Sequence, residues 1–141
     1  MIVLDTNVIS ALMRQKPELP VIKWLDRQPA DSIWITSVTL FEAQFGLARL
    51  PNGRRRQALA LAFEQLLVED LDGRVLDFDQ PAARAAAALA AHRERSGKSI
   101  DMRDTQIAGI VIARQATFAT RNVKHFLDLD IDVINPWAAD P

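Results

Sequence analysis

Short apolar runs recur along the chain, and segments with helical periodicity fill the spaces between them. Apolar runs of three or four residues bounded by polar side chains are typical of buried strands. Strands that alternate with helices predict an α/β fold, in which right-handed crossovers connect parallel strands. The predicted strands are Ile2–Leu4, Ile33–Ile35, Arg74–Asp77, Thr117–Thr120 and Asp132–Ile134.

Helical periodicity predicts seven helical segments. In the third of them, Phe41, Phe45 and Ala48 recur at i, i+4 and i+7, so we assign these residues to the face that meets the core. In the fourth, an apolar stripe follows one side of the helix, namely Leu59, Ala62, Phe63, Leu66 and Leu67. The predicted helices are Val8–Met13, Leu19–Gln28, Val38–Leu50, Arg55–Glu69, Ala82–Arg95, Met102–Gln115 and Val123–Leu127.

The alanine-rich helix has the strongest helix propensity of the seven. Asp79 precedes it as a predicted N-cap, and Ser96-Gly97 ends it. Because the side chains over 82–91 are mostly methyl groups, a second helix can approach this helix closely. The approach is either inside the fold or at a dimer interface.

Composition limits the possible functions. With 141 residues, 49% of them hydrophobic, the chain can bury a core, and we expect one domain over residues 1–141. The absence of cysteine excludes disulfides and thiolate metal sites. A formal net charge of −1 argues against coating of nucleic acid by charge alone, although Arg49 and the run Arg54–Arg56 form either a local basic groove or a solvated surface.

The chain shows no sign of export or of membrane insertion. Met1 leads directly into a predicted strand without a basic leader segment, and no apolar run approaches the roughly 20 residues of a membrane helix. We therefore expect a cytoplasmic protein with no membrane contact.

Three carboxylates fall at positions where they could act together. Asp5 ends the first strand, Glu42 lies on the helix after the second strand, and Asp104 lies near the start of a later helix. Each also has a structural interpretation. Asp5 is a plausible N-cap, Glu42 completes a capping box with Thr39, and Asp104 is a first-turn acid favoured by the helix dipole.

Together, the three acids favour a metal site. Ligands of open α/β sheets bind at the carboxyl ends of the strands, where these positions converge. Carboxylates gathered there would raise one another's pKa values unless a cation offset their charge. Mg²⁺ or Mn²⁺ prefers such oxygen ligands and activates water for attack on a phosphoryl group.

Other polar or small residues belong to the same predicted edge. Thr120, Arg121 and Asn122 follow the fourth strand and provide a hydroxyl, a guanidinium and an amide, or else form a strand-to-helix turn with Asn122 as the cap. Gly46 lies one turn after Glu42, where it either leaves room for a ligand or serves helix packing.

Four blocks of sequence, in order along the chain, carry a family resemblance. The blocks are LDTNVIS at 4–10, SVTLFEAQFGLARL at 37–50, DTQIAGIVIA at 104–113 and ATRNVKHF at 119–126, and INPW at 134–137 is similar to the family's usual ending. On these blocks the chain resembles the PIN-domain ribonucleases and, among them, the VapC and FitB toxins of bacterial type II toxin–antitoxin pairs.

The resemblance implies a three-layer α/β/α sandwich with a central, mostly parallel sheet. It assigns metal binding to Asp5, Glu42 and Asp104, with Thr6 and Thr120 as supporting hydroxyls. Many family members have a fourth acid where this chain has Asn122, and His125 occupies the nearby position where an acid often occurs. We therefore favour one metal ion over two.

The function that follows is a Mg²⁺-dependent (or Mn²⁺-dependent) endoribonuclease toxin that a small antitoxin with a DNA-binding domain inhibits. Metal-activated water would cleave single-stranded or loop regions of tRNA or rRNA, leaving a 5′-phosphate and a 3′-hydroxyl. Arg49, Arg54 and Arg121 are candidate RNA contacts, and we expect a homodimer. The alternatives are a metal-dependent DNA nuclease and a non-catalytic PIN-fold module within a DNA-bound antitoxin complex.

Overall fold

A parallel sheet of five strands forms the centre of the molecule in a computed structural model, which describes residues 1–138. The strand order is β3-β2-β1-β4-β5, and every neighbouring pair is parallel. The predicted parallel α/β sandwich is therefore confirmed. The strands are β1 (Ile2–Leu4), β2 (Ile33–Thr36), β3 (Val75–Leu76), β4 (Thr117–Ala119) and β5 (Val133–Ile134).

Six α-helices cover the two faces of the sheet among residues 1–138. They are α1 (Thr6–Leu12), α2 (Leu19–Asp26), α3 (Ser37–Arg49), α4 (Arg54–Gln65), α5 (Gln80–Arg95) and α6 (Met102–Arg114). The fourth predicted helix is divided, because α4 ends at Gln65 and a π-helical turn continues over Leu66–Asp70. The seventh is a single 3₁₀ turn, Val123–Phe126. None of the helices in the described part of the chain is long and apolar enough to span a membrane.

The sheet separates two apolar cores, because successive side chains of a strand point to opposite faces. Val3 and Phe118 are paired in register and pack with α5 and α6 on one face. Leu4 and Ala119, the next pair, pack on the other face with residues of α1, α2 and α4. This alternation fixes the register of the two central strands, which carry the polar residues at their carboxyl ends.

The prediction for the buried face of α3 is wrong. Phe41 is 55% exposed and Phe45 is 41% exposed, and Ala48 is exposed as well. The three residues do share one face, but α3 turns Val38 and Leu47 into the core instead. The stripe predicted on the fourth helix is correct, since Phe63 and Leu66 are buried and the other three residues of the stripe are partly buried.

The close helix approach occurs inside the fold, between α5 and α6. A Cβ atom placed on Gly109 would lie 2.6 Å from the carbonyl oxygen of Ala82 and 2.7 Å from the Cβ of Ala86. Both alanines are buried, so the methyl groups of α5 form the floor on which α6 rests. Asp79 caps α5 as predicted, with its Oδ1 accepting from the amide of Ala82 at 3.1 Å.

Candidate active site

Asp5 lies at the carboxyl end of the central strand and is 5% exposed. Its amide donates to the carbonyl of Ala119, which continues the β1–β4 ladder by one residue. Its Oδ1 accepts from the amide of Thr6 at 2.8 Å, so the capping interpretation is correct. Its Oδ2 accepts from the hydroxyl of Thr120 at 2.7 Å and from the amide group of Asn7 at 3.3 Å.

Burial of Asp5 has an electrostatic consequence. The pKa of Asp5 is raised from 3.8 to about 6, and loss of solvent around the buried carboxylate is the largest cause. The hydrogen bonds from Thr120 and Thr6 lower the pKa and oppose part of this increase. The charges of Asp104 and Glu42 raise the pKa further. Asp104 and Glu42 are therefore close enough to Asp5 to affect its protonation.

Glu42 has no capping role. Thr36 is the N-cap of α3, with its hydroxyl accepting from the amide of Thr39 at 3.0 Å, so Glu42 lies more than one turn inside the helix. One carboxylate oxygen, Oε1, accepts from the hydroxyl of Thr6 at 2.8 Å, and that hydroxyl is 3.0 Å from the hydroxyl of Thr39. The other, Oε2, is 3.6 Å from a guanidinium nitrogen of Arg103.

Asp104 occupies the first turn of α6. Asp101 is the cap of this helix, and its Oδ1 accepts from the amide of Asp104 at 3.0 Å, which leaves the Asp104 carboxylate available for another role. Partial burial, followed by the charges of Asp101 and Glu42, raises the pKa of Asp104, while His125 and Arg93 lower it.

The donor chemistry of this edge fits a hard divalent cation. Mg²⁺ in proteins takes one or two carboxylates and completes its octahedron with water and substrate phosphate. Asp5 and Asp104 provide two carboxylates. Hydrogen bonds from Thr6, Thr120 and Asn7 already orient the carboxylate of Asp5. Within residues 1–138 no group of three acidic or imidazole side chains is arranged to hold a metal ion. Glu42 contacts Thr6 and Arg103 instead.

The residues predicted after β4 are divided between structural contacts and solvent. The hydroxyl of Thr120 is buried and also accepts from the amide of Asn122 at 3.1 Å. Asn122 is the N-cap residue of the following 3₁₀ turn, as the capping alternative predicts, although its side chain makes no capping hydrogen bond. Asn122 and His125 are both exposed, and the guanidinium of Arg121 lies 4.8 Å from the ring centre of Trp137.

Two residues of the site were not selected from the sequence. Asn7 joins the two sides of the edge, since its side chain donates to Asp5 and to Thr120 and accepts from the amide of Arg121 at 3.4 Å. The sequence did offer a signal for Asn7, because this residue lies two positions after the aspartate that ends the first strand. Arg103 reaches Glu42 from a different element, and no sequence spacing indicates that contact.

A groove that Glu42 lines extends across one face of the molecule. It has a volume of about 1080 Å³ and runs between α1, α3 and α4, with Thr6 and Glu42 lining it. Three arginines also line it, including the predicted contact Arg54. Apolar side chains form most of the remaining wall: Ile9, Met13, Ala43, Leu47, Leu50, Ala58, Leu59 and Ala62. Gly46 also lines the groove, and a Cβ on it would have no atom within 4 Å, so no close helix contact requires a glycine here.

Known proteins resemble this chain along nearly its whole length. The model of the PIN domain family matches residues 2–131. The VapC ribonuclease Y4jK of Sinorhizobium fredii is 41% identical over 137 residues, which cover 97% of this chain and 98% of that protein. The toxin FitB of Neisseria gonorrhoeae is 36% identical over 137 residues, which cover 97% and 99% respectively.

A solved structure agrees with the fold described above. The structure of FitAB bound to an IR36 DNA fragment contains a chain that superposes with a TM-score of 0.89 at 35% identity. The match covers 100% of this chain and 99% of that one. The likeness therefore extends over the whole chain.

Proposed function

The chain belongs to the PIN domain family, and from that premise we propose that it is a toxin of the VapC and FitB type that acts as a Mg²⁺-dependent endoribonuclease. The observation that carries the proposal is the buried Asp5 carboxylate, held by three donors at the carboxyl edge and within the field of two further acids. A carboxylate whose pKa is raised by burial and, to a smaller extent, by neighbouring acids has its charge offset when a cation binds.

Asp5 and Asp104 would hold Mg²⁺, or Mn²⁺ in its place. When bound, the cation supplies a water nucleophile of lowered pKa and offsets charge on a phosphoryl oxygen. Thr120 and Asn7 fix one oxygen of Asp5, and Thr6 fixes one oxygen of Glu42. The second oxygen of Glu42 then orients the attacking water. The oxygen of this water would bond to phosphorus, the bond from phosphorus to the 3′-oxygen would break, and the proton lost by the water would end on the 3′-oxygen. The products would be a 5′-phosphate and a 3′-hydroxyl.

RNA is the proposed substrate because the relatives named ribonuclease match along the whole chain. Unpaired regions of tRNA or rRNA expose phosphates and bases that a groove can bind. Arg54 lines the groove, and Arg49 and Arg121 are exposed on the same molecule, so all three stay candidate phosphate contacts.

The groove is the proposed site of a small antitoxin with a DNA-binding domain. The FitAB structure contains a relative of this chain in a complex with DNA, which supports such a partner. The apolar wall of the groove suits a peptide segment, and its end at Glu42 suits a basic side chain. Glu42 already attracts the guanidinium of Arg103, so an arginine of the antitoxin would compete for the same carboxylate. We also propose that the toxin is a homodimer in which each subunit binds one antitoxin.

A cleavage assay tests the nuclease directly. Purified wild-type protein and Asp104→Asn would be incubated with a mixed tRNA and rRNA pool, and separately with matched DNA, in Mg²⁺ or EDTA. Asp31→Asn, an exposed carboxylate before β2, is the control for loss of a charge. We expect discrete RNA fragments from the wild type and the control in Mg²⁺ only, and at least about 100-fold less from Asp104→Asn.

The other outcomes identify the alternatives. Cleavage of DNA in preference to RNA assigns a DNA nuclease. Folded, antitoxin-free protein that cleaves neither nucleic acid supports the non-catalytic module, which the uncharged Asn122 also favours. Activity that persists in Asp104→Asn contradicts the assignment of the metal ligands.

A further inference from the structure

The INPW motif near the end of the chain folds back against the residue that follows β4. The amide of Thr120 donates to the carbonyl of Ile134 at 2.9 Å, so β4 and β5 end side by side at the carboxyl edge. Asn135 then turns the chain, with its Oδ1 accepting from the amide of Trp137 at 3.0 Å. The indole of Trp137 lies against Arg121, whose guanidinium carbon is 4.8 Å from the ring centre.

Other elements hold the indole of Trp137 in place. Its Nε1 donates to the Oε2 of Glu18, which precedes α2, and the Oε1 of Glu18 accepts from Arg14 at 3.0 Å. The ring also packs at the border of the apolar core that α1 and α2 share. Trp137 is partly buried whereas Arg121 is exposed, so a fixed ring restricts a side chain that water would otherwise surround.

Arg121 is connected to the acidic site through Asn7. The amide of Arg121 donates to the Oδ1 of Asn7 at 3.4 Å, and the Nδ2 of Asn7 donates to the Oδ2 of Asp5 at 3.3 Å. Within residues 1–138 no carboxylate lies within 4 Å of the Arg121 guanidinium, so no ion pair in that part of the chain neutralises its charge. A guanidinium binds phosphate oxygens through parallel, charge-assisted hydrogen bonds.

We propose that Trp137 is a positioning residue, which orients Arg121 to bind an RNA phosphate beside the cation site. A free arginine side chain loses rotamer freedom when it binds a ligand, and packing on the indole restricts that freedom before RNA arrives. The donors of a guanidinium lie in its plane, so contact through its face leaves them available to phosphate oxygens. This proposal rests on the RNA substrate proposed above and adds the residue that prepares one of its contacts.

A double-mutant cycle of RNA affinity tests the positioning role. Trp137→Leu, Arg121→Gln and the combined variant would be made in the inactive Asp104→Asn protein. Each would be titrated in Mg²⁺ into a fluorescein-labelled single-stranded oligoribonucleotide that contains the mapped cleavage site. We expect Trp137→Leu to bind about 2- to 10-fold more weakly, the range for ordering one long side chain. In Arg121→Gln protein the same change should have no effect, because the residue that Trp137 positions is absent.

Two conservative variants and a control separate positioning from folding. Trp137→Phe keeps an aromatic face and should retain most of the affinity, whereas Arg121→Lys keeps the charge without a planar group and should lose about as much as Trp137→Leu. In Arg121→Gln the slope of log affinity against log salt should fall by about 0.7, the value for one phosphate contact with a single strand. Arg27→Gln removes an exposed charge between α2 and the amino end of β2, so it should change neither quantity.

Each outcome decides the proposal. If Trp137→Leu weakens RNA binding equally with and without Arg121, the tryptophan serves the fold alone and the positioning role is overturned. Full affinity in Arg121→Lys, which leaves the partly buried ring unchanged, also overturns it. Unchanged affinity and salt slope in Arg121→Gln overturn the phosphate contact, and the ribonuclease assignment stands in all three cases. If Asp104→Asn protein with both residues native binds no RNA, the proposed function fails, and the positioning role fails with it.

Discussion

Asp5 serves both the fold and the site. Its Oδ1 caps α1, while its Oδ2 accepts hydrogen bonds from Thr120 and Asn7. One oxygen therefore stabilises the helix and the other is held by the residues of the site. An N-cap needs only an acceptor, and an asparagine would supply one. The negative charge is needed only for a cation, and in a position that is 5% exposed the charge costs folding free energy. We therefore attribute the aspartate at position 5 to metal binding and not to folding stability.

Replacing that charge should stabilise the cation-free protein at neutral pH. Burial raises the pKa of Asp5 from an ordinary 3.8 to about 6 in the folded state, so the folded protein holds the proton more tightly than the unfolded chain does. Stability from this group is thus present below pH 4 and is lost as the pH rises through 6. In EDTA, we expect Asp5→Asn to unfold like the wild type at pH 4 and to be more stable by up to about 3 kcal/mol at pH 7.5. Urea unfolding at both pH values measures this.

A matched variant separates this effect from general charge removal. Asp31→Asn removes an exposed carboxylate before the amino end of β2, and its stability difference from the wild type should stay within about 0.5 kcal/mol at both pH values. A wild type that gains stability between pH 4 and pH 7.5 relative to Asp5→Asn would contradict the assigned cause of the raised pKa.

Among helices, periodicity identifies a shared face but not the side on which the core lies. Phe41 and Phe45 do recur as a helical face, and that face is exposed because α3 packs through Val38 and Leu47. The capping pattern had the same weakness, since both Thr36 and Thr39 precede Glu42 and only the helix start distinguishes them. Here the start at Ser37 is decided by the end of β2, which is a tertiary constraint.

Two helical glycines should respond in opposite directions to the same methyl group. Gly46 has open space around a Cβ, so Gly46→Ala should stabilise the protein by about 0.5–1 kcal/mol through reduced backbone entropy of the unfolded chain. At Gly109 the Cβ would meet the carbonyl of Ala82 at 2.6 Å, and Gly109→Ala should destabilise by about 1–3 kcal/mol. Urea midpoints measure both, and a shift of both variants in the same direction would contradict the packing of α6 on α5.

For the molecule as a whole, the alternation of strands and helices was enough to predict the parallel sheet and the edge at which its strands end. β1 and β4 are neighbours, so parallel pairing brings Asp5 and Thr120 to the same edge. Glu42 lies on the helix that follows β2, and Asp104 lies at the start of α6, the second of the two helices between β3 and β4. The contacts of Arg103 and the groove between α1, α3 and α4 depend on helix rotation, which short sequence patterns do not determine.

The groove provides a way to separate antitoxin binding from catalysis. Ala58 lines the groove from α4, away from the carboxylates, and Ala58→Trp should fill part of it without changing any charge. We expect RNA cleavage to stay within about twofold of the wild type, while affinity for the cognate antitoxin falls at least about tenfold through overpacking. Residual ribonuclease activity in an equimolar mixture with antitoxin measures the loss of inhibition.

The control is Leu61→Trp, at an exposed position of the same helix, which antitoxin should still inhibit fully. If antitoxin inhibits Ala58→Trp as completely as Leu61→Trp, it binds the toxin elsewhere, and the apolar wall must then be assigned to the RNA.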